Sequence, residues 1–238
     1  MPKTYYYKLT MDNGGAPCVQ DHLLSLAICK PTIRRCAQPG DWIVGFGAKN
    51  FRVVSRQQPN GRLVPGKPLV FMARVTAKEL DGTYYAGGEY SHRADCIYER
   101  NGARFRRRSN AIYHEAPERL LEDLGHYPGY TSSAVLLSDD FRYLPGGGTF
   151  AFELKFPSIK DAFDKVHRVH GVAHPGTQLA EHFSTLQRWL WCEFPRIAAG
   201  TEPNENAEVG TDATSKSCVV VSKSQMPSLR RTIRQADC

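Results

Sequence analysis

The chain has 238 residues, with 31 Lys and Arg against 24 Asp and Glu for a net charge of +7, and 41% of it is apolar. That size and balance supply ample material for a globular core, and no apolar run approaches the roughly 18 residues that a membrane-spanning helix needs. The opening Met1-Pro2-Lys3 and Tyr5-Tyr6-Tyr7 lack the apolar segment of a secretory signal, which predicts a cytoplasmic protein with no membrane partner. Seven cysteines without paired short spacings exclude a disulfide framework or a zinc ribbon and predict reduced thiols, with no metal and no cofactor.

In chain order, Tyr5 to Thr10 is rich in strand formers and ends at the turn signal Asp12-Asn13-Gly14-Gly15. Asp21 followed by the apolar run His22 to Cys29 predicts a short helix that Pro31 stops, which places Lys30, Arg34 and Arg35 at or past its C-terminus. Trp42 to Phe46, Phe51 to Ser55 and Leu69 to Leu80 read as strands, with a polar Pro/Gly loop from Gln57 to Lys67. From Asp81 to Asn110 the chain reads as loop, interleaving Tyr84, Tyr85, Tyr90, His92, Arg93, Asp95 and Tyr98. Aromatic faces beside cations suit base stacking, and Tyr equally suits loop anchoring.

Ala134 to Leu137 and Thr149 to Phe156 read as later strands, with a turn at Pro145-Gly146-Gly147-Gly148 between them. Helices are expected from Ser158 to about His170 and from Thr177 to about Phe194, the latter with Leu179, Phe183, Leu186 and Leu190 as a core-facing stripe. After Pro195 the composition turns polar. The organisation predicted is one domain over 1–195 and a disordered tail over 196–238. Strands outnumber helices and the connections are too short for repeated crossovers, so the fold class predicted is α+β. The expected form is a mostly antiparallel curled sheet or barrel with flanking helices, by analogy with the PUA/EVE-like domains that read modified bases.

Charge is unevenly placed: residues 1–110 carry 18 Lys and Arg against 8 Asp and Glu, residues 111–194 carry 7 against 11. A positive region raises affinity for polyanions, and four arginines within Arg104 to Arg108 could neutralise phosphates of a nucleic-acid backbone or merely keep the surface soluble. The nucleic-acid backbone residues predicted are Arg104, Arg106, Arg107 and Arg108. His167 and His170 could share a helix face, but Gly171 and Pro175 end that helix, so no metal site is predicted. Asp139-Asp140 reads as a turn rather than a two-metal site.

The densest chemistry lies in Cys29-Lys30-Pro31-Thr32-Ile33-Arg34-Arg35 and Gly40-Asp41-Trp42-Ile43-Val44-Gly45-Phe46-Gly47-Ala48-Lys49. Guanidinium planes, a mobile ammonium, a Trp and close-approaching glycines are what a planar anionic ligand needs, while a solvated loop and a generic turn are the plain alternative. Cys18, Cys29 and Cys36 fall nearby. A nucleophilic thiol at Cys29 is the minor reading, a small buried hydrophobe the commoner fate.

These two blocks, with Asp12-Asn13-Gly14-Gly15-Ala16-Pro17, Asp95-Cys96-Ile97-Tyr98 and Val135-Leu136-Leu137-Ser138-Asp139-Asp140-Phe141-Arg142-Tyr143, resemble the nucleotide modification associated domain family, in the second of its numbered types, over about residues 5 to 175. The chain has Cys96 where the family pattern leads one to expect Asn. The resemblance implies a role with modified nucleotides or nucleic acid, in the neighbourhood of bacterial and phage systems that modify or restrict DNA and of phage defence, and supplies no reaction.

The leading expectation is a module that binds a nucleotide or nucleic acid and recognises a modified base. Its nucleotide-binding residues would be Asp12, Lys30, Arg34, Trp42, Lys49, Asp95 and Tyr98. Lys30, Arg34 and Lys49 would hold phosphate, Trp42 or Tyr98 would stack, and Asp12 or Asp95 would accept from the base edge. The alternative is a modification enzyme in which Asp12 or Asp95 is the general base and Lys30 stabilises the transition state; a third is a structural partner of modification or restriction proteins. The blocks further predict that the Asp12 loop, Lys30, Arg34, Asp41 and Asp95 to Tyr98 surround one cleft.

Overall fold

The structure, a computed structural model, describes residues 2–54, 58–166 and 170–194. The stretch 196–238 expected to be a tail, and His167, lie outside the described residues. The strands are β1 (Thr4–Asp12), β2 (Cys18–Gln20), β3 (Leu23–Leu26), β4 (Trp42–Val53), β5 (Arg62–Leu63), β6 (Leu69–Arg74), β7 (Ala77–Glu79), β8 (Tyr98–Asn101), β9 (Arg104–Arg107), β10 (Val135–Ser138), β11 (Asp140–Tyr143) and β12 (His170–Ala173). The α-helices are α1 (Pro31–Cys36), α2 (Thr83–Ala86), α3 (Glu118–Leu124), α4 (Ala151–Lys155), α5 (Pro157–Asp164) and α6 (Gln178–Glu193).

A six-stranded sheet runs β11-β6-β4-β1-β12 with β5 on β4; the central β1–β4 pair is parallel and its other pairs are antiparallel. A second, antiparallel sheet runs β2-β3-β10-β7, and β8 and β9 form a hairpin. The α+β class holds. Among the described residues no sheet closes into a barrel, since each path ends in an edge strand.

Period-2 alternation builds the layers. Tyr5, Tyr7 and Leu9 of β1 face a core shared with Leu24, Leu26 and Leu136 of the second sheet. Tyr6, between them in sequence, faces the other way, into a core with Phe163, Phe183, Leu186 and Leu190 of α5 and α6. The far side of the second sheet, through Val135 and Leu137, packs on Tyr84, Tyr85, Tyr98, Phe105, Tyr113 and Leu124. The molecule is thus layered as helices, main sheet, second sheet, then the hairpin with α2 and α3.

Several local expectations are corrected. The run His22 to Cys29 is not a helix: Asp21 and His22, both at positive φ (51° and 63°), make a two-residue hairpin turn into β3, whose backbone pairs β2 and β10 on either side. Pro31 therefore starts α1, where its missing N–H is harmless, instead of stopping a helix. Arg34 and Arg35 accordingly sit in that helix's last turn, and Lys30 is its N-cap. The single strand expected over Leu69 to Leu80 is two, β6 and β7, in different sheets. Asp81 to Asn110 contains α2 and the β8–β9 hairpin. Ala151–Lys155 is helical because Phe152 and Phe156, four apart, turn together to the core while Leu154 stays exposed. His170 is on a strand, opposite Tyr7. The helix α6 forms as its stripe predicts, with Thr177 as the capping side chain.

Candidate active site

Three elements meet at the outer layer. The loop after β3 delivers Cys29, the loop after β9 delivers His114, and α3 delivers Asp123. Cys29 Sγ lies 3.3 Å from His114 Nε2, and His114 Nδ1 lies 2.5 Å from Asp123 Oδ2. A carboxylate can only accept, so Nδ1 carries the proton that faces Asp123 and Nε2 is the nitrogen presented to the thiol. Asp123 is buried and fully engaged: Oδ1 accepts from the Cys29 N–H at 2.8 Å, and Oδ2 also accepts from Tyr98 Oη–H at 2.8 Å. Cys29 and His114 are part-exposed, so the chain of contacts runs from a buried acid to a thiol in reach of solvent.

Arg34, fully buried, ties the frame together. Its Nε donates to the Cys29 carbonyl at 2.7 Å, one terminal nitrogen to Ser132 and Ala134 carbonyls at 2.7 Å, and the other to the Asp123 carbonyl at 2.8 Å. One guanidinium thus anchors the backbones of both the thiol and the acid, with the Asp123 carboxylate 3.7 Å away. Cys29 and Lys30 both adopt left-handed backbone (φ 59° and 46°), which costs of order 1 kcal/mol or more each and persists only where the surroundings impose it. Such strain at a thiol held against a histidine is the pattern expected of a functional turn.

The electrostatics favour a charged imidazole. Burial pushes His114 down, but its hydrogen bonds to Asp123 and Cys29 and the charge of Asp123 outweigh that and hold it at about 9. Burial likewise lowers Lys30, with Cys29 as the opposing influence. The Lys30 ammonium donates to the Lys8 carbonyl at 3.0 Å and lies 4.9 Å from the Tyr7 ring centre. Burial and the Asp123 carboxylate raise Tyr98 far above the usual phenol range, so it remains a neutral donor.

The residues expected in one nucleotide pocket divide between places. Arg34 contacts both Cys29 and Asp123, Tyr98 contacts Asp123, and Lys30 follows Cys29 with its ammonium turned to the Lys8 carbonyl. Asp95 is buried elsewhere, accepting from Ser25 Oγ–H at 2.6 Å and Tyr84 Oη–H at 2.7 Å with Arg93 3.7 Å away. Asp12 is buried at the end of β1, bonded to Tyr143 Oη–H, and burial raises its carboxyl. Trp42 packs edge-on to Trp191 on the helix side of the main sheet, by a cavity of about 130 Å³ lined also by Met72 and Phe183. Lys49 is exposed on β4. Asp41 accepts from the Lys3 and Gln38 N–H groups in the turn before β4.

In the arginine cluster, Arg104 is exposed and stacks 4.9 Å from Tyr127, while Arg106 is exposed and pairs with Glu99 at 2.8 Å. Arg107 and Arg108 turn inward onto backbone carbonyls. Cys18, Cys29, Cys96 and Cys192 are free thiols, and no metal-binding cluster occurs among the described residues. Nor, among those residues, is any helix long and apolar enough to cross a membrane.

The sequence reading missed His114 and Asp123. A lone Cys with His and Asp elsewhere is a recognised pattern, but their separations of 85 and 9 residues carry no periodic signal that would have singled them out.

A thiol, an imidazole and a buried carboxylate in series are the groups that thiol-dependent nucleophile chemistry uses. Over residues 1–208 the chain matches the family model described as nucleotide modification associated domain 2, and it belongs to that family. No curated protein and no solved structure matches it.

Proposed function

We propose that this protein is a cysteine-dependent enzyme of nucleotide modification that acts on the carbonyl carbon of an acyl group, amide- or ester-linked, on a nucleotide. The observation that carries this reading is the contact chain Cys29–His114–Asp123. In the reaction, His114 holds the proton of Cys29, and the thiolate adds to the carbonyl carbon to form a C–S bond. The C–N or C–O bond then breaks as His114 gives its proton to the leaving amine or alcohol. Water, deprotonated by His114, cleaves the thioester and restores the thiol and a free carboxylic acid. Asp123 fixes the ring and its tautomer, and Lys30 supplies positive charge beside the developing oxyanion. The role assigned to Lys30 thus retains the sequence-based expectation of a stabiliser, with Cys29 and His114 in place of Asp12 or Asp95 as the reacting groups.

The polyanion surface belongs to the β8–β9 hairpin. Arg100, Arg104 and Arg106 are exposed there, and Tyr127 beneath Arg104 offers a stacking face, which favours a nucleic-acid substrate over a free small acyl compound. The test is to incubate wild type and Cys29→Ala with an oligonucleotide carrying an amide- or ester-linked base substituent and follow its mass. Loss of the acyl mass with wild type alone supports the reading; equal loss, or none with either protein, contradicts it.

A further inference from the structure

We propose that one rung of the β8–β9 ladder, the cross-strand pair Tyr98–Arg107, is the positioning element of the catalytic histidine and its acid; the inference rests on the reading of Cys29 given above. Tyr98 and Arg107 are direct partners in the hairpin register. From one side of the rung, Tyr98 Oη–H donates to Asp123 Oδ2 at 2.8 Å. From the other, Arg107 grips the loop that delivers His114, donating from Nε to the Tyr113 carbonyl at 3.0 Å and from a terminal nitrogen to the Ala111 carbonyl.

His114 needs such a grip. Its φ is 53°, a left-handed backbone that a non-glycine residue keeps only under external constraint. On the opposite flank, Tyr113 Oη–H donates to the Asn13 carbonyl at 2.8 Å, so the loop is clamped from two directions. Arg108 Nε–H closes the frame on the Tyr98 carbonyl at 2.9 Å. The ladder therefore sets the distance between His114 and Asp123 through two side chains whose hydrogen bonds go to the acid and to the His114 loop, not to the thiol. Arg107 is thus a positioning residue, in contrast with its exposed neighbour Arg106, which pairs with Glu99.

The probe is iodoacetamide, with alkylation of Cys29 followed by peptide mass spectrometry as a function of pH in the full chain. Wild type should react already at about pH 6, where His114, held at about 9, is an imidazolium 3.3 Å from the sulfur. Arg107→Ala should lower that low-pH rate about tenfold, the usual scale for removing an outer-shell partner, and Tyr98→Phe should lower it less. At about pH 10, above the His114 value of about 9, the rates should coincide with wild type. Guanidinium ion at non-denaturing concentration should restore the low-pH rate of Arg107→Ala.

Leu186→Ala, a core truncation in α6 matched for lost melting temperature, should leave the profile unchanged and so separates positioning from mere destabilisation. If Arg107→Ala does not fold, Tyr98→Phe, whose ring still fills the core, carries the test. Low-pH reactivity in wild type that persists undiminished in both variants overturns this inference alone. A wild-type profile with no low-pH reactivity overturns the inference together with the thiol enzyme it rests on.

Discussion

Two buried nodes in this protein are built alike. Arg34 lies 3.7 Å from Asp123, and Arg93 lies 3.7 Å from Asp95, with all four side chains almost wholly buried. Each carboxylate accepts a tyrosine hydroxyl, from Tyr98 at 2.8 Å and from Tyr84 at 2.7 Å, and each arginine donates to several backbone carbonyls. They differ in where they lead. Asp95 continues to Ser25 and ends in the interior, whereas Asp123 continues to His114 and Cys29, at the edge of solvent. A buried ion pair by itself is weak evidence of stability gain and none of chemistry. The part-exposed imidazole and thiol single out one of two similar frames as the candidate reacting site.

The largest contrast should come from the end groups. Cys29→Ala should lower acyl transfer a thousandfold or more, by about 4 kcal/mol of transition-state stabilisation, with little change in urea midpoint; Ser25→Ala should leave turnover intact. A Cys29→Ala protein that retains turnover breaks the comparison. Next, Arg93→Met, which leaves Asp95 buried without its ion partner, should cost about 3–5 kcal/mol in equilibrium unfolding while Cys29 alkylation in the folded protein stays within about threefold of wild type. Coupled loss of reactivity would mean that the two nodes are one network.

His114→Gln should reduce turnover about a hundredfold with KM little changed, since it removes a proton carrier and no binding contact. Turnover of wild type should fall as pH rises through about 9, because His114, raised above its ordinary value, must be protonated to serve the leaving group. The same elevation means that its contribution to folding stability is complete below the ordinary histidine range and is lost as pH rises through about 9. A flat pH profile would remove His114 from the reaction. The smallest effect concerns the hairpin: Arg104→Ala should reduce the salt-dependence slope of nucleic-acid binding by about 0.9, whereas Arg62→Ala, on β5, should not change it.

The sequence made the strand-rich α+β character, β1, β10 and α6 legible, because alternation and a helical stripe are local signals. It misread His22 to Cys29, where strand pairing on both edges overrode an apolar run that suits a helix, and Pro31 served as a start instead of a stop. At the site, Lys30, Arg34 and Tyr98 stood out by type as phosphate and base contacts, and Cys29 as a minor nucleophile reading. Arg34 is buried and directs its donors to backbone carbonyls. His114 and Asp123 were silent because a left-handed loop residue and a short helix carry no pattern, and only the fold brings them to Cys29.

The central claim is that Cys29 becomes transiently acylated with help from His114. The most direct measurement is intact and peptide mass spectrometry after brief mixing with p-nitrophenyl acetate, alongside stopped-flow release of p-nitrophenol. The account predicts a rapid burst of p-nitrophenol and one acetyl group on the Cys29 peptide in wild type, with the burst slowed in His114→Gln and absent in Cys29→Ala. Acetylation spread over lysines and other cysteines, with the same rate in all three proteins, would contradict it.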